Sequence, residues 1–125
     1  RQALEHGVSM IAPGAQPGGF PQVSGIQFSY DATRQPGNRI VQLKVNGQSI
    51  SPSRKYSLAT TTFVALDGGD GYAMLKNAPV LTAPDRTPLD SDALRRALIG
   101  KTIAPRIESR IQRLDKSPAT RTECE

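Results

Sequence analysis

Residues 60–72 have the sequence TTTFVALDGGDGY, in which a β-branched run ends in a glycine-rich turn with two acidic residues. The run predicts the end of a strand, and three glycines within four residues allow positive φ angles and close approach of the backbone to a ligand. Phe63 and Tyr72 place an aromatic ring on either side of the turn. The pattern is typical of a site for a small aromatic ligand, and it is also compatible with a tight strand-to-helix turn whose rings enter the core.

Composition predicts one modest domain. The chain has 125 residues, of which 37% are hydrophobic and 22% charged, which is ordinary for a soluble protein. We expect a domain over residues 1–114 and a polar tail over residues 115–125. No apolar run approaches the roughly 18 residues of a membrane span, and the first residues lack the pattern of a signal peptide. Because the chain opens on RQALEH, a helical pattern without an initiator Met, we expect it to belong to a longer protein.

The charge balance permits an anionic partner without requiring one. The net charge is +5 and the isoelectric point about 9.8, yet the basic residues are spread along the chain. The densest group lies between Arg95 and Arg113 and would suit a phosphate-tracking face, but three Tyr and three Phe leave few rings for stacking on bases. We expect most of these cations on solvated surface and keep a basic nucleic-acid or protein-interaction module as the alternative.

The beginning of the chain predicts a helix followed by a strand. Residues 1–8 carry the short apolar stripe of a helix, and the Pro/Gly-rich residues 11–19 predict a surface loop. Residues 26–30 alternate apolar and polar side chains, so we expect one face of this strand in the core and the other in water.

The middle of the chain predicts further strands. Residues 40–45 alternate again, and Asn46-Gly47 is a strong signal for a hairpin turn. We expect a return strand from Ser49 and, after an interruption at a proline, another strand over residues 55–62 that leads to Phe63.

The last third predicts one well-marked helix with Thr87 as its N-cap, Pro88 in its first turn and Gly100 near its end. Shorter patterns predict a helical turn at residues 72–76 and a final strand over residues 107–113. Together these elements predict an α+β fold with a mainly antiparallel or mixed sheet and a few packed helices.

Residues suited to catalysis are few. The chain has a single histidine, His6, and a single cysteine, Cys124, so we expect no metal site and no internal disulfide. Ser24, His6 and Asp70 formally supply a catalytic triad, but Ser24 lacks the G-x-S-x-G pattern of a nucleophile elbow. The thiol of Cys124 is compatible with a free tail cysteine or with a cross-link in an oxidising compartment.

The glycine turn also differs from known ion-binding turns. No Lys-Ser/Thr pair follows it, as a phosphate-binding loop requires, and residues 67–71 lack the ligand spacing of a calcium loop. What remains is recognition of a flat, hydroxylated molecule, with Phe20 and Phe63 as aromatic faces and Asp70 as acceptor for sugar hydroxyls. Stacking on such rings contributes about 1 to 3 kcal/mol per base.

These residues carry a resemblance to a known family. GFPQVSGI at residues 19–26 and TTFVALDGGDGY at residues 61–72 together resemble the C-terminal domain of the 5'-nucleotidase family. Three further segments fit the same pattern: ALEHGVS at 3–9, PGNRIV at 36–41 and VNG at 45–47. The resemblance covers most of residues 1–114.

The resemblance implies a nucleotide-recognition part of a two-domain phosphohydrolase that is secreted, periplasmic or attached to the cell surface. In this family Phe20 and Phe63 match the two rings that clamp the base of a nucleotide or nucleoside, and Asp70, flanked by Gly69 and Gly71, matches the carboxylate that contacts the ribose. Hydrolysis would occur at two divalent metal ions in an N-terminal metallophosphoesterase domain outside this chain, and domain rotation would carry the nucleotide to them. We therefore expect no cofactor, no catalytic residue and no activity in this chain alone, and neither a membrane nor a nucleic acid as partner.

Two departures from the family pattern bear on the base contacts. This chain has Thr61-Thr62-Phe63-Val64 where members commonly carry Asn-Asp-Phe-Leu or Asn-Phe-Leu, and Asp67 where Asn is frequent. The upstream part of the family's domain, which supplies Arg and Asn contacts to the ligand, lies outside this sequence, so we expect weak binding. The resemblance leaves open nucleoside monophosphatase, nucleotide-sugar hydrolase and 2',3'-cyclic phosphodiesterase activities, and the residues also allow a structural domain that has lost its ligand.

Overall fold

A computed structural model describes residues 1–10 and 17–115, and the chain divides into two units. The first, here the sheet unit, comprises Arg1–Lys55 and the segment from Ser109 onward; the second, here the intervening unit, comprises Tyr56–Glu108. Most of the predicted loop at residues 11–19 and nearly all of the predicted tail, with Cys124, lie outside the described residues. The domain boundary predicted at residue 114 stays a prediction.

The sheet unit is built on a mixed sheet, which confirms the predicted α+β class. Its four described strands are β1 (Ile26–Tyr30), β2 (Ile40–Val45), β3 (Gln48–Ser49) and β4 (Ile111–Arg113). Their order in the sheet is β3-β2-β1-β4, with β1 antiparallel to β2, β2 antiparallel to β3, and β1 parallel to β4. The final strand is shorter than predicted, because Ser109 adopts a positive φ of 54° just before it and breaks the extended backbone.

The predicted hairpin is present between β2 and β3. Asn46 and Gly47 have φ angles of 50° and 78°, so both central residues of the turn are left-handed, as the tight hairpin turn requires. The return strand begins at Gln48, one residue earlier than predicted, and spans two residues.

Helix α1 (Gln2–Ser9) covers the sheet and completes its core. Leu4 and Val8 of its predicted apolar stripe are buried with strand residues in one cluster, whose members are Leu4, Val8, Phe28, Tyr30, Ile40 and Leu43. Burying each such side chain contributes about 1.5 to 3 kcal/mol. Ser29 is also buried, contrary to the prediction that its face of β1 is wet; β1 is an interior strand with β2 and β4 on either side.

The intervening unit contains helices α2 (Thr62–Ala65) and α3 (Asp90–Leu98), with short 3-10 turns at Gly69–Gly71, Ala73–Leu75 and Pro84–Arg86. The turn predicted at residues 72–76 is therefore present as a 3-10 turn. No residue of α2 or α3 is buried. Of the helices predicted to pack, α1 packs on the sheet through Leu4 and Val8. Helix α3 leaves Leu94 and Leu98 exposed.

Two local predictions in the intervening unit are wrong. Residues 56–61 form no strand, because no described strand pairs with them, and Phe63 lies on α2 instead of at a strand end. Helix α3 has Leu89 as its N-cap. Thr87 does not cap it, because the helix begins at Asp90 and Thr87 lies two residues before the N-cap; its hydroxyl donates to the carbonyl oxygen of Pro84 at 2.7 Å.

Candidate functional site

The candidate site begins with helix α2, which presents Phe63. Thr61 has an extended backbone and its hydroxyl accepts a hydrogen bond from the Val64 N–H at 3.4 Å, so a threonine expected in a strand acts as a helix N-cap. The helix is a single turn, ending at Ala65, and the glycine turn follows directly. Phe63 is therefore held on a short, capped helix next to the turn.

The glycine turn has a backbone that ordinary residues adopt rarely. Gly68 and Gly71 have φ angles of 68° and 79°, and Asp70 lies between them at 51°. At Gly68 a side chain would also meet its neighbours, since an added β-carbon would lie 2.9 Å from Lys76 Cδ. The predicted use of glycine for positive φ is confirmed at these two positions.

Phe63 lies against this turn and remains half exposed. An added β-carbon at Gly69 would overlap the ring at Cδ1, Cε1 and Cζ, so this edge of the ring rests on the Gly69 backbone. Phe63 nevertheless exposes 52% of its surface. The alternative in which Phe63 enters the core is wrong for this ring.

Asp70 and Tyr72 occupy the far side of the turn. Asp70 is exposed, whereas Tyr72 is buried. Burial raises the pKa of the Tyr72 hydroxyl, and the negative charge of Asp70 raises this pKa further. Of the two rings that flank the turn, Tyr72 thus enters the interior, and Phe63 is the one a ligand can reach.

Phe20, the other predicted stacking ring, belongs to the sheet unit. It is half-buried against the core, with its ring centroid 6.2 Å from that of Tyr30 and the ring planes tilted by 55°. The structure thus brings Phe63, Gly69, Asp70 and Gly71 together in one short segment of the intervening unit, while Phe20 lies in the sheet unit.

The buried carboxylate of Glu5, which joins α1 to β2, was not predicted from the sequence. Glu5 accepts hydrogen bonds from the backbone N–H groups of Arg39 at 2.8 Å and Ile40 at 3.1 Å. The Arg39 guanidinium in turn donates to the carbonyl oxygen of Val8 at 2.8 Å, near the C-terminal end of α1, where a cation is favoured. The available signal was an acidic residue inside the apolar stripe of α1, next to Leu4.

Some of the basic side chains form ion pairs with acidic side chains of the same chain. Arg113 donates to Asp115 at 2.8 Å, and Arg95 donates to Asp92 at 3.4 Å. Asp115 also accepts from the Ala32 N–H at 3.0 Å, so the residue at which we began the predicted tail is hydrogen-bonded to the sheet unit. These pairs reduce the charge that the predicted phosphate-tracking face would offer.

Neither metal ligands nor a membrane span is found in the described parts of the chain. Among residues 1–10 and 17–115, no three His, Cys, Asp or Glu side chains group together in a way that could hold a metal ion. Within the same ranges, no helix combines the length and the apolar character needed to cross a bilayer.

The mixed sheet covered by α1, with the glycine turn in the intervening unit, is an α+β architecture. The family model described as "5'-nucleotidase, C-terminal domain" matches residues 1–77, and the chain belongs to this family. The predicted family is thereby confirmed.

Curated relatives extend the similarity over more of the chain. The chain is 33% identical to the trifunctional nucleotide phosphoesterase protein YfkN of Bacillus subtilis (strain 168), over 90% of this chain and 8% of that protein. It is 33% identical to the 5'-nucleotidase of Homo sapiens, over 90% of this chain and 20% of that protein. A snake venom 5'-nucleotidase of Gloydius brevicauda is 39% identical, over 61% of this chain and 14% of that protein. The chain thus spans between 8% and 20% of the length of these three relatives.

Proposed function

We propose that this chain recognises the nucleoside part of a nucleotide on behalf of a 5'-nucleotidase-type phosphoesterase. The observation that carries the proposal is the half-exposed Phe63 ring, held against a glycine turn that also presents Asp70. The names of the relatives, which include 5'-nucleotidases and a nucleotide phosphoesterase, favour nucleotides as the ligand class.

The chemistry of the turn suits a nucleoside. An exposed Phe ring stacks on the flat face of a base, which contributes about 1 to 3 kcal/mol per base and tolerates different bases. The Asp70 carboxylate is an acceptor for ribose hydroxyls, and a hydrogen bond to a charged acceptor is stronger than one between neutral groups. Phe20 is proposed as the second stacking ring, and Gly69 and Gly71 as the residues that bring the turn backbone close to the ligand.

Hydrolysis is proposed to occur in another domain of a longer parent enzyme. That domain would hold two divalent metal ions, which supply a hydroxide nucleophile and a Lewis acid when bound. The role of the present chain would be to fix the nucleotide so that its phosphate is presented in a productive orientation, which removes much of the entropic barrier. We place the parent outside the cytoplasm, as a secreted, periplasmic or surface-attached enzyme, because relatives include venom 5'-nucleotidases.

An NMR titration of the 125-residue chain with adenosine and AMP tests the proposal. We expect saturable shifts of the amides of residues 63–72 and of Phe20, with millimolar affinity. Phe63→Ala should abolish the shifts, because it removes the stacking face. Ile107→Ala is the matched control, since Ile107 is 85% exposed and lies in the same unit without belonging to the proposed site.

Two outcomes would overturn the proposal. One is the absence of shifts with both ligands at several tens of millimolar. The other is binding that persists in Phe63→Ala, extends to oligonucleotides and weakens steeply with salt, which would instead support the basic nucleic-acid module. A chain that releases phosphate from AMP without another domain would contradict the placement of hydrolysis elsewhere.

A further inference from the structure

We propose that Gly69 is a positioning residue for nucleobase stacking: its lack of a side chain leaves the space in which one edge of the Phe63 ring rests. The inference rests on the proposed function, because it takes Phe63 as the stacking ring. It adds that the identity of residue 69 sets the affinity for the base although residue 69 itself supplies no side chain to the ligand.

One edge of the Phe63 ring lies against Gly69. Three consecutive ring atoms of Phe63, namely Cδ1, Cε1 and Cζ, lie so close to Gly69 that a β-carbon there would overlap all three. The ring therefore cannot keep its position if residue 69 carries any side chain. Phe63 as a whole residue remains 52% exposed, so the contact does not bury it.

The backbone does not require glycine at position 69. Gly68 and Gly71 have positive φ angles of 68° and 79°, which favour glycine by themselves. The φ angle of Gly69 lies outside the range from +20° to +160°, so an alanine would meet no backbone penalty of this kind. The Phe63 ring is what an alanine at position 69 would have to displace.

The contact between Phe63 and Gly69 affects how tightly a nucleobase stacks on the ring. A ring that rests on a backbone surface is held in one orientation before the ligand arrives, so less rotational freedom is lost on stacking. A displaced ring must be reordered or must stack in a poorer geometry. Because stacking contributes about 1 to 3 kcal/mol per base, we expect at least about a fivefold loss of nucleoside affinity in Gly69→Ala.

The experiment compares adenosine dissociation constants of the 125-residue chain and four variants by NMR titration. Gly69→Ala is expected to weaken binding at least about fivefold. Gly18→Ala is the matched control, because Gly18 also lacks a positive φ and an added β-carbon there would meet nothing within 4 Å. Phe63→Leu and the double variant Phe63→Leu/Gly69→Ala complete a cycle. We expect Gly69→Ala to weaken binding less beside Phe63→Leu, since leucine lacks Cε1 and Cζ, the two ring atoms that the added β-carbon would overlap most.

A second measurement follows the ring directly and needs no ligand. We expect nuclear Overhauser contacts between the Phe63 ring protons and the α-protons of Gly69 in the unaltered chain. Their absence would overturn the inference, as would a Gly69→Ala variant with unchanged affinity beside a weakened Phe63→Leu. An equal loss from Gly69→Ala with and without Phe63 would overturn it too, because the cost would then belong to the turn. A failure of the unaltered chain to bind adenosine at all would overturn both the proposed function and this inference.

Discussion

Large apolar side chains are mostly buried in the sheet unit and mostly exposed in the intervening unit. All six members of the buried cluster belong to the sheet unit, where α1 covers the strands. Among the described residues, every large exposed apolar side chain except Val41 and Leu114 belongs to the intervening unit. Similar apolar patterns thus end in a core in one unit and on a surface in the other. We therefore expect folding stability to reside mainly in the sheet unit, while Phe63 and the exposed leucines of the intervening unit remain accessible.

The polar contacts differ between the units in the same way. Glu5 of the sheet unit is buried and bonded to two backbone N–H groups. Asp92 of the intervening unit forms an exposed pair with Arg95, three residues along its own helix. Because buried hydrogen bonds are costly to break and exposed ion pairs contribute little, polar substitutions should also act mainly in the sheet unit.

The largest expected effect comes from a core truncation. Ile40 is fully buried at 1% exposure, so Ile40→Ala should lower the free energy of unfolding by about 2 to 5 kcal/mol. Leu94→Ala is the control from the other unit, where the side chain is 60% exposed and the expected change is within about 0.5 kcal/mol. Urea unfolding followed by circular dichroism measures both. Equal losses would contradict the division of stability between the units.

A smaller effect is expected from the buried carboxylate. Glu5→Ala leaves the N–H groups of Arg39 and Ile40 without their acceptor, which should cost about 1 to 3 kcal/mol in the same unfolding measurement. Glu5→Gln keeps one acceptor oxygen and should cost less than Glu5→Ala. Slowed exchange of the Arg39 and Ile40 amide protons should be lost in the alanine variant. Unchanged protection of both amides would show that the carboxylate does not hold them.

The smallest effect is expected from an ion pair and depends on pH. The hydrogen bonds from Arg113, and then from the Ala32 N–H, lower the pKa of Asp115 well below its ordinary value of 3.8. Because the pKa is lowered in the folded state, the contribution of this carboxylate is complete above pH 3.8 and declines as the pH falls below that value.

Asp115→Asn should therefore reduce the difference in thermal midpoint between pH 7 and pH 3. Asp92→Asn is its counterpart in the intervening unit and should change the thermal midpoint at pH 7 little, because its pair with Arg95 is exposed. Identical pH profiles for Asp115→Asn and the unaltered chain would contradict the assigned role of Asp115.

Features set by neighbouring residues were predictable from sequence. The Asn46-Gly47 turn needs only two residues that tolerate positive φ. The apolar residues of β1 and β2 located both strands, but not the burial of Ser29 on the face predicted to be wet. The family motif around Phe63 and Asp70 is likewise a local pattern, and it located the turn that the structure shows.

Features set by distant or competing partners were not predictable. A strand over residues 55–62 requires a partner strand, and β propensity cannot reveal whether one is present. Thr87 was predicted as a cap, but the helix begins at Asp90, and the Thr87 hydroxyl instead donates to the Pro84 carbonyl oxygen of the preceding turn. Glu5 accepts hydrogen bonds from donors 34 and 35 residues away, and the contact of Phe63 with Gly69 depends on how one ring packs over a turn.

The parallel pairing of β4 with β1 makes the intervening unit an excursion of the chain between two strands of a single sheet. Ala32 and Asp115, which are hydrogen-bonded, are separated by 83 residues, and Tyr56–Glu108 occupies most of that distance. Closing a loop costs entropy that grows only with the logarithm of its length, by about 0.6 kcal/mol for each doubling. The segment that carries Phe63 and Asp70 can therefore change in length at little cost in free energy to the sheet. Under the proposed function, ligand preference can then diverge while the sheet unit stays the same.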